Sequence, residues 1–196
     1  VSNWFNKELK INFPDKITLS GKKLSQLRYG ENPHQKSSIY INHLYGEKIG
    51  LRKITGKNLS YNNYNDIFSG LEILSSLNRT GTVIIKHANP SGVSMDTSPL
   101  KSFKYALSCD PVSAFGGVVA CNFKINKKIA KEVSKTFFEV ILAKDFDKEA
   151  LKILKLKRNL ILIDISKFKL RSNIQIKNFD NSFLIQNKNH EIFNYK

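Results

Sequence analysis

The stretch Gly81 to Ser94, GTVIIKHANPSGVS, decides how this chain is read. Thr82, Val83, Ile84 and Ile85 form an unbroken β-branched run, the pattern of a strand covered on both faces. Asn89-Pro90-Ser91-Gly92 is expected to end that strand, because proline and glycine break regular structure. Lys86 and His87 are then delivered to its C-terminal mouth, the place where open α/β sheets bind ligands. Successive strand residues point to opposite faces, so the two share a pocket only where His87 already begins the loop. Chemically the pair is a fixed cation beside a group that carries a proton near neutral pH. Taken alone, the dipeptide also fits a lysine snorkelling from a strand end beside a histidine in a turn.

The rest of the chain bounds what such a pair can serve. A length of 196 residues holds one substantial core, or one core and a fragment of another. Hydrophobic residues make up 41% and aromatics 11%, too apolar for disorder. No apolar run approaches the length of a membrane span, and no signal-peptide pattern opens the chain. Val1 in the place of a methionine is expected to mark a chain cut from something longer. Cys109 and Cys121 have neither metal-ligand spacing nor an even framework of bridges, which fits a reducing compartment and a cytoplasmic location. The net charge of +16 invites a nucleic-acid reading, but only five of the 32 basic residues are Arg, and they are scattered. Phosphorylated or polycarboxylate small molecules gain as much from such a field.

Upstream, Leu27-Arg28-Tyr29-Gly30-Glu31-Asn32-Pro33-His34-Gln35 is a polar loop in which Gly30 and Pro33 forbid regular structure. Arg28 offers a planar fork for phosphate or carboxylate, and Tyr29 adds a ring and a hydroxyl; an ordinary surface turn is the alternative. Ser37 to Tyr45 reads as a half-buried strand, with His43 on its surface, and residues 46 to 60 as loop. A helix follows on Ile67, Leu71, Ile73, Leu74 and Leu77, with Asn and Asp residues of the preceding polar run as its N-caps. Further helices are expected at Leu100 to Leu107, at Ile125 to Phe138 on Ile129, Val133 and Phe137, and after Asp147 as cap through Leu154. Gly116-Gly117 precedes the strand Val118 to Cys121 and lets backbone approach something closely, a bulge being the alternative. Strands are expected also at Glu139 to Ala143, Leu160 to Ile165 and Ser182 to Gln186. The alternation makes the chain α/β, with a mixed or largely parallel sheet and flanking helices. No phosphate-binding P-loop, dinucleotide glycine pattern or zinc signature occurs.

Three polar loops, RYGENPHQ, KHANPSGVS and DPVSAFGGVVACN, occur in that order, each beside a strand, and in combination they are highly specific. Together they resemble the bifunctional purine biosynthesis proteins, whose C-terminal part is phosphoribosylaminoimidazolecarboxamide (AICAR) formyltransferase and whose N-terminal part is IMP cyclohydrolase. Residues 1 to 23 resemble the tail of the cyclohydrolase domain and a connector. Residues 24 to 196 resemble the first half of the transformylase domain, whose fold is cytidine deaminase-like. The resemblance implies formyl transfer from 10-formyltetrahydrofolate to AICAR, no catalytic metal, and a homodimer with sites at its interface. It implies that Lys86 and His87 are catalytic, and that Arg28, Tyr29, Asn63, Phe115, Gly116 and Glu139 contact substrate. No counterpart of the domain's second half, which brings a catalytic asparagine, is found after Ile185. Two other classes compete. A zinc deaminase needs H-x-E with P-C-x-x-C, and His87-Ala88-Asn89 with isolated cysteines departs from both. A basic nucleic-acid-binding module, or a zinc-free relative of the deaminase fold, is the remaining alternative.

Overall fold

A computed structural model describes residues 13–42 and 48–189. His43 and the apolar residues expected in the first connector, Trp4 to Ile11, lie outside the described residues. Among those described are twelve strands and four helices. The strands are β1 (Lys22–Gln26), β2 (Ser38–Ile41), β3 (Arg52–Thr55), β4 (Gly81–Lys86), β5 (Asn89–Met95), β6 (Val118–Cys121), β7 (Lys124–Ile125), β8 (Val140–Ala143), β9 (Asp145–Phe146), β10 (Ile161–Asp164), β11 (Ile174–Phe179) and β12 (Ser182–Asn187). The helices are α1 (Tyr61–Ser76), α2 (Pro99–Cys109), α3 (Lys127–Val133) and α4 (Lys148–Leu154). No described helix is long and apolar enough to cross a membrane.

Six strands form one mixed sheet in the order β3-β10-β8-β6-β4-β5. Strands β6, β8 and β10 are parallel, whereas β4 runs antiparallel to β6 and β5 antiparallel to β4. Because the inner strands are buried at nearly every position and mostly apolar, with Thr82, Lys86 and Asp164 as the polar exceptions, alternate residues feed two separate cores. Val83, Ile85, Val118, Ala120, Val140, Leu142, Ile161 and Ile163 pack with Ile67, Leu71 and Leu74 of α1 on one face. Ile84, Val119, Cys121, Ile141 and Leu162 pack with Phe103, Ala106, Ile129, Val133 and Leu154 of the other three helices on the opposite face. The result is a three-layer α/β/α arrangement.

Several expectations change. Asn89-Pro90-Ser91-Gly92 does not stop at a loop: it starts β5, and Lys86 pairs with Asn89 across a two-residue turn of His87 and Ala88. Pro90 is tolerated because β5 is an edge strand, where a missing N–H is least costly. Residues 52–55, read as loop, are edge strand β3 on β10, and residues 22–26, for which no strand was expected and whose first two were read as connector, are β1 paired with β2. Their exposed, Lys- and Arg-bearing sequences carry no alternating apolar signal. The third helix ends at Val133, with Phe137 in the loop beyond it, and the C-terminal strand pairs with an unexpected β11 in a separate hairpin. The N-cap of α1 is Ser60, not one of the Asn or Asp residues. Its hydroxyl accepts the Asn63 N–H while the Asn63 side chain accepts the Ser60 N–H, which closes a capping box. Asp147 does occupy the N-cap position of α4, but its carboxylate makes no cap and pairs with Lys124 at 2.9 Å.

Candidate active site

The reversed direction of β4 decides where the Lys-His pair emerges. Ile85 lies opposite Val118, and Val118 beside Val140, so the C-terminal end of β4 meets the starts of β6 and β8. The carboxyl-end rule for parallel sheets therefore does not locate this cluster. It sits at the amino ends of the parallel strands.

Here Lys86 is half-buried, and its Nζ donates to the Phe115 carbonyl oxygen at 3.0 Å. Gly116 is the next residue, with a left-handed φ of 71°, and a Cβ built on it would lie 2.9 Å from that Nζ. Glycine thus serves two needs at once: it adopts the conformation and leaves room for the ammonium. The Gly116 N–H donates to Phe137 O at 2.7 Å, and the Phe115 and Phe137 rings lie 5.3 Å apart, with Phe115 largely exposed. Phe115 and Phe137 border a cleft of about 370 Å³ whose wall includes Lys135, Lys157 and Arg158.

His87 follows in the turn and is exposed. His87 and Ala88 both have left-handed backbones, φ 52° and 60°, which fits a tight two-residue hairpin connection. Neither residue is a glycine, and each such conformation costs roughly 1–3 kcal/mol, so neighbours must hold it. Two do. The Ala88 N–H donates to Asp66 Oδ1 at 2.7 Å, and Asn89 Nδ2 donates to the His87 carbonyl oxygen at 2.9 Å.

Helix α1 supplies the other wall. Asn63 and Asp66, three residues apart, lie on one face of its first turns. Asn63 Nδ2 donates to Glu139 Oε2 at 2.9 Å, and its Oδ1 is held by the capping box, so the amide is fixed at both ends. Burial pushes the Asp66 carboxyl above the usual carboxylate range; the Ala88 N–H and the charges of His87 and Lys86 pull it back, while Glu139 adds to the rise. Asp66, Lys86, His87 and Glu139 are thus one electrostatic group.

Arg28 and Tyr29 stand apart from it. The Arg28 guanidinium lies 5.3 Å from the centre of the Tyr29 ring, and the Tyr29 carbonyl accepts from Ser37 Oγ at 2.6 Å. Arg28 lines a second cleft, of about 290 Å³, with Asn58, Leu59 and Tyr64. Among the described residues no hydrogen bond or ion pair joins Arg28 or Tyr29 to the Lys86 group. The link between the two regions is α1: Asn62 Nδ2 donates to Glu31 O at 3.1 Å on one side, while Asn63 and Asp66 reach the strand ends on the other. Sequence reasoning missed Asp66, read only as a possible cap, and Phe137, read as a helix residue.

A family profile described as AICARFT/IMPCHase bienzyme matches residues 1–196. The chain belongs to that family. It is 37% identical to the bifunctional purine biosynthesis protein PurH of Leptospira biflexa serovar Patoc, over 98% of this chain and 37% of that protein. PurH of Mesorhizobium japonicum is 43% identical over 83% of this chain and 31% of that protein. PurH of Bradyrhizobium diazoefficiens is 41% identical over 83% of this chain and 32% of its own length. The chain therefore spans about a third of the length of the curated relatives it matches. Among solved structures, RibD of Acinetobacter baumannii overlays 50% of this chain and 35% of its own at a TM-score of 0.40 and 12% identity, too distant to assign a fold.

Proposed function

We propose that this chain carries the first half of an AICAR transformylase domain of cytidine deaminase-like fold, in residues 24–196, preceded by the tail of a cyclohydrolase domain and a connector in residues 1–23. The complete enzyme transfers a formyl group from 10-formyltetrahydrofolate to the 5-amino group of AICAR in purine biosynthesis, as a cytoplasmic homodimer. IMP cyclohydrolase activity belongs to the part that precedes this chain in its relatives. One observation carries the reading: Lys86 Nζ is held between the Phe115 carbonyl and the open face of Gly116, with His87 next to it in a braced turn.

The chemistry explains the residue types. The amine of AICAR is conjugated with its ring and weakly nucleophilic, so its attack on the formyl carbon needs a positioned proton acceptor and a stabilised oxyanion. His87 takes the proton as the new C–N bond forms, and Lys86 steadies charge on the formyl oxygen. Collapse breaks the bond to the donor nitrogen, which takes the electron pair and the proton carried by His87 and leaves as the neutral amine of tetrahydrofolate. Asn63, locked by its cap, and Glu139, locked by Asn63, contact the substrate, as do Phe115 and Gly116 from their loop. Arg28 and Tyr29 bind the nucleotide. Their distance in contacts from Lys86 accords with a site completed across a dimer. The cleft bordered by Phe115 and Phe137, with three cations in its wall, suits a flat ring that carries carboxylates, as the folate donor does.

The test is formyl transfer by the purified chain with AICAR and 10-formyltetrahydrofolate, alone and mixed with a chain spanning the second half of its relatives' transformylase domain. Turnover is expected only in the mixture, because donor and acceptor must be held in one geometry. His87→Ala is expected to lower that turnover by roughly 10²-fold or more. Steady turnover by the chain alone overturns the half-site reading; no turnover in the mixture, with both chains folded, overturns formyl transfer.

A further inference from the structure

The turn that carries His87 is the most strained backbone in the cluster, and the strain points to what maintains it. Left-handed conformations at His87 and Ala88 are intrinsically unfavourable for residues with a Cβ. Hairpin turns of this kind normally use Asn-Gly or Asp-Gly. Here the sequence has neither, so the conformation depends on contacts from outside the hairpin. Among the described residues Asp66 supplies the one side-chain hydrogen bond to the turn's backbone that comes from another element: its Oδ1 accepts the Ala88 N–H at 2.7 Å from helix α1. The remaining brace, Asn89 Nδ2 to the His87 carbonyl, is internal to the hairpin.

The position of Asp66 is itself fixed. It lies one turn after Asn63, whose side chain is held by the Ser60 cap and by Glu139, and one residue before Ile67, which is fully buried against the sheet. A half-buried carboxylate facing Lys86, His87 and Glu139 is not a neutral choice for a brace, since burial disfavours its charge. An uncharged acceptor would hold the N–H with less desolvation.

We propose that Asp66 is a positioning residue: its carboxylate oxygen holds the Ala88 N–H and so keeps His87 in the left-handed backbone from which its imidazole is presented next to Lys86. Asp66 does not touch the reacting atoms. It acts through the turn, and the proposal rests on the formyl-transfer reading only for the claim that His87 does chemistry.

The test compares Asp66→Asn, which retains an oxygen acceptor, with Asp66→Ala, which does not, in the full chain. Hydrogen exchange at the Ala88 amide reads the hold directly. It is expected to stay slow in Asp66→Asn and to quicken by about tenfold or more in Asp66→Ala, while the amides of Val83 and Ile84 in β4 exchange as in the parent. The Cα and Cβ chemical shifts of His87 are expected to leave their left-handed values only in the alanine variant. In the mixed-chain formyl-transfer assay the alanine variant is expected to lose roughly 10- to 10²-fold in kcat with little change in KM for AICAR, and the asparagine variant to recover most of the loss. Unchanged Ala88 exchange and His87 shifts in Asp66→Ala overturn the proposal, as does equal loss of kcat in both variants. If the parent mixture shows no turnover at all, formyl transfer fails, while the exchange and shift readings still decide whether Asp66 holds the turn.

Discussion

Gly116→Ala is expected to damage the candidate site and the fold by separable amounts. Gly116 has a φ of 71°, where an L residue costs roughly 1–2 kcal/mol. The added methyl group would lie 2.9 Å from Lys86 Nζ and 3.7 Å from the Phe137 ring. The aromatic contact is ordinary, but the ammonium must move. Because Nζ ends a flexible side chain, it yields without shifting backbone, and its 3.0 Å hydrogen bond to Phe115 O is lost. That bond is partly solvated and contributes about 0.5–1.5 kcal/mol. The two losses together come to about 1.5–3.5 kcal/mol, and at roughly 2–4 °C per kcal/mol for a chain of this size the melting temperature falls by about 3–14 °C. Gly116→Asn separates the parts, since asparagine tolerates the left-handed region better yet still crowds Nζ. It is expected to recover part of the stability and none of the Lys86 position. The assay is a thermal melt of parent, alanine and asparagine variants, with the Lys86 side-chain resonances read by NMR. If both variants melt within about 1 °C of the parent and Lys86 is undisturbed, the account of why glycine stands at 116 is wrong.

A harsher result is expected at Gly92, where an added Cβ would overlap the backbone carbonyl of Ala106 and lie 2.8 Å from its carbon. Gly92→Ala must push α2 off β5, and denaturant titration should show a loss above about 4 kcal/mol or no folded protein. The buried Cys121 thiol is pushed up to about 12 by burial, against a weaker opposing contact from Thr82, whereas Cys109 is exposed. A thiol reagent at pH 8 should therefore label Cys109 only, with Cys121 reacting after unfolding, as mass spectrometry will show. Burial opposes ionisation of Asp164, but the Ser166 N–H and hydroxyl and the Arg52 guanidinium, whose Nε lies 3.0 Å away, outweigh it and leave the carboxyl below its usual range. A depressed carboxyl stabilises the fold above the unfolded value near 3.9, and that contribution disappears as pH falls through the folded value. Asp164→Asn should thus lower the melting temperature at pH 7, and the gap to the parent should narrow as the pH falls below about 4.

How much of this was legible in the sequence differs from element to element, for physical reasons. The inner strands β4, β6, β8 and β10 are near-continuous apolar runs, because a strand covered on both faces has almost no polar side to show, and each was readable without its neighbours. The polar loops with Arg28, Tyr29, Phe115 and Gly116 were readable too, because residue type and order carry that signal without coordinates, whereas KHANPSGVS, read as a loop, is a tight turn leading into β5. Edge strands β1 and β3 were not: they gain most of their hydrogen bonds from one partner, expose charged side chains, and so resemble loops locally. Nor was the direction of β4, which the turn at His87-Ala88 reverses into a hairpin with no glycine to announce it. What sequence determined alone is the set of candidate groups with side chains suited to chemistry. Which of them meet was decided only by tertiary structure: Asn63 reaches Glu139 across 76 residues, Asp66 reaches Ala88 across 22, and Arg28 stays with Tyr29 on the far side of α1. Those meetings depend on how helix α1 packs against the sheet, and packing is a property of the whole core that no local run of residues encodes.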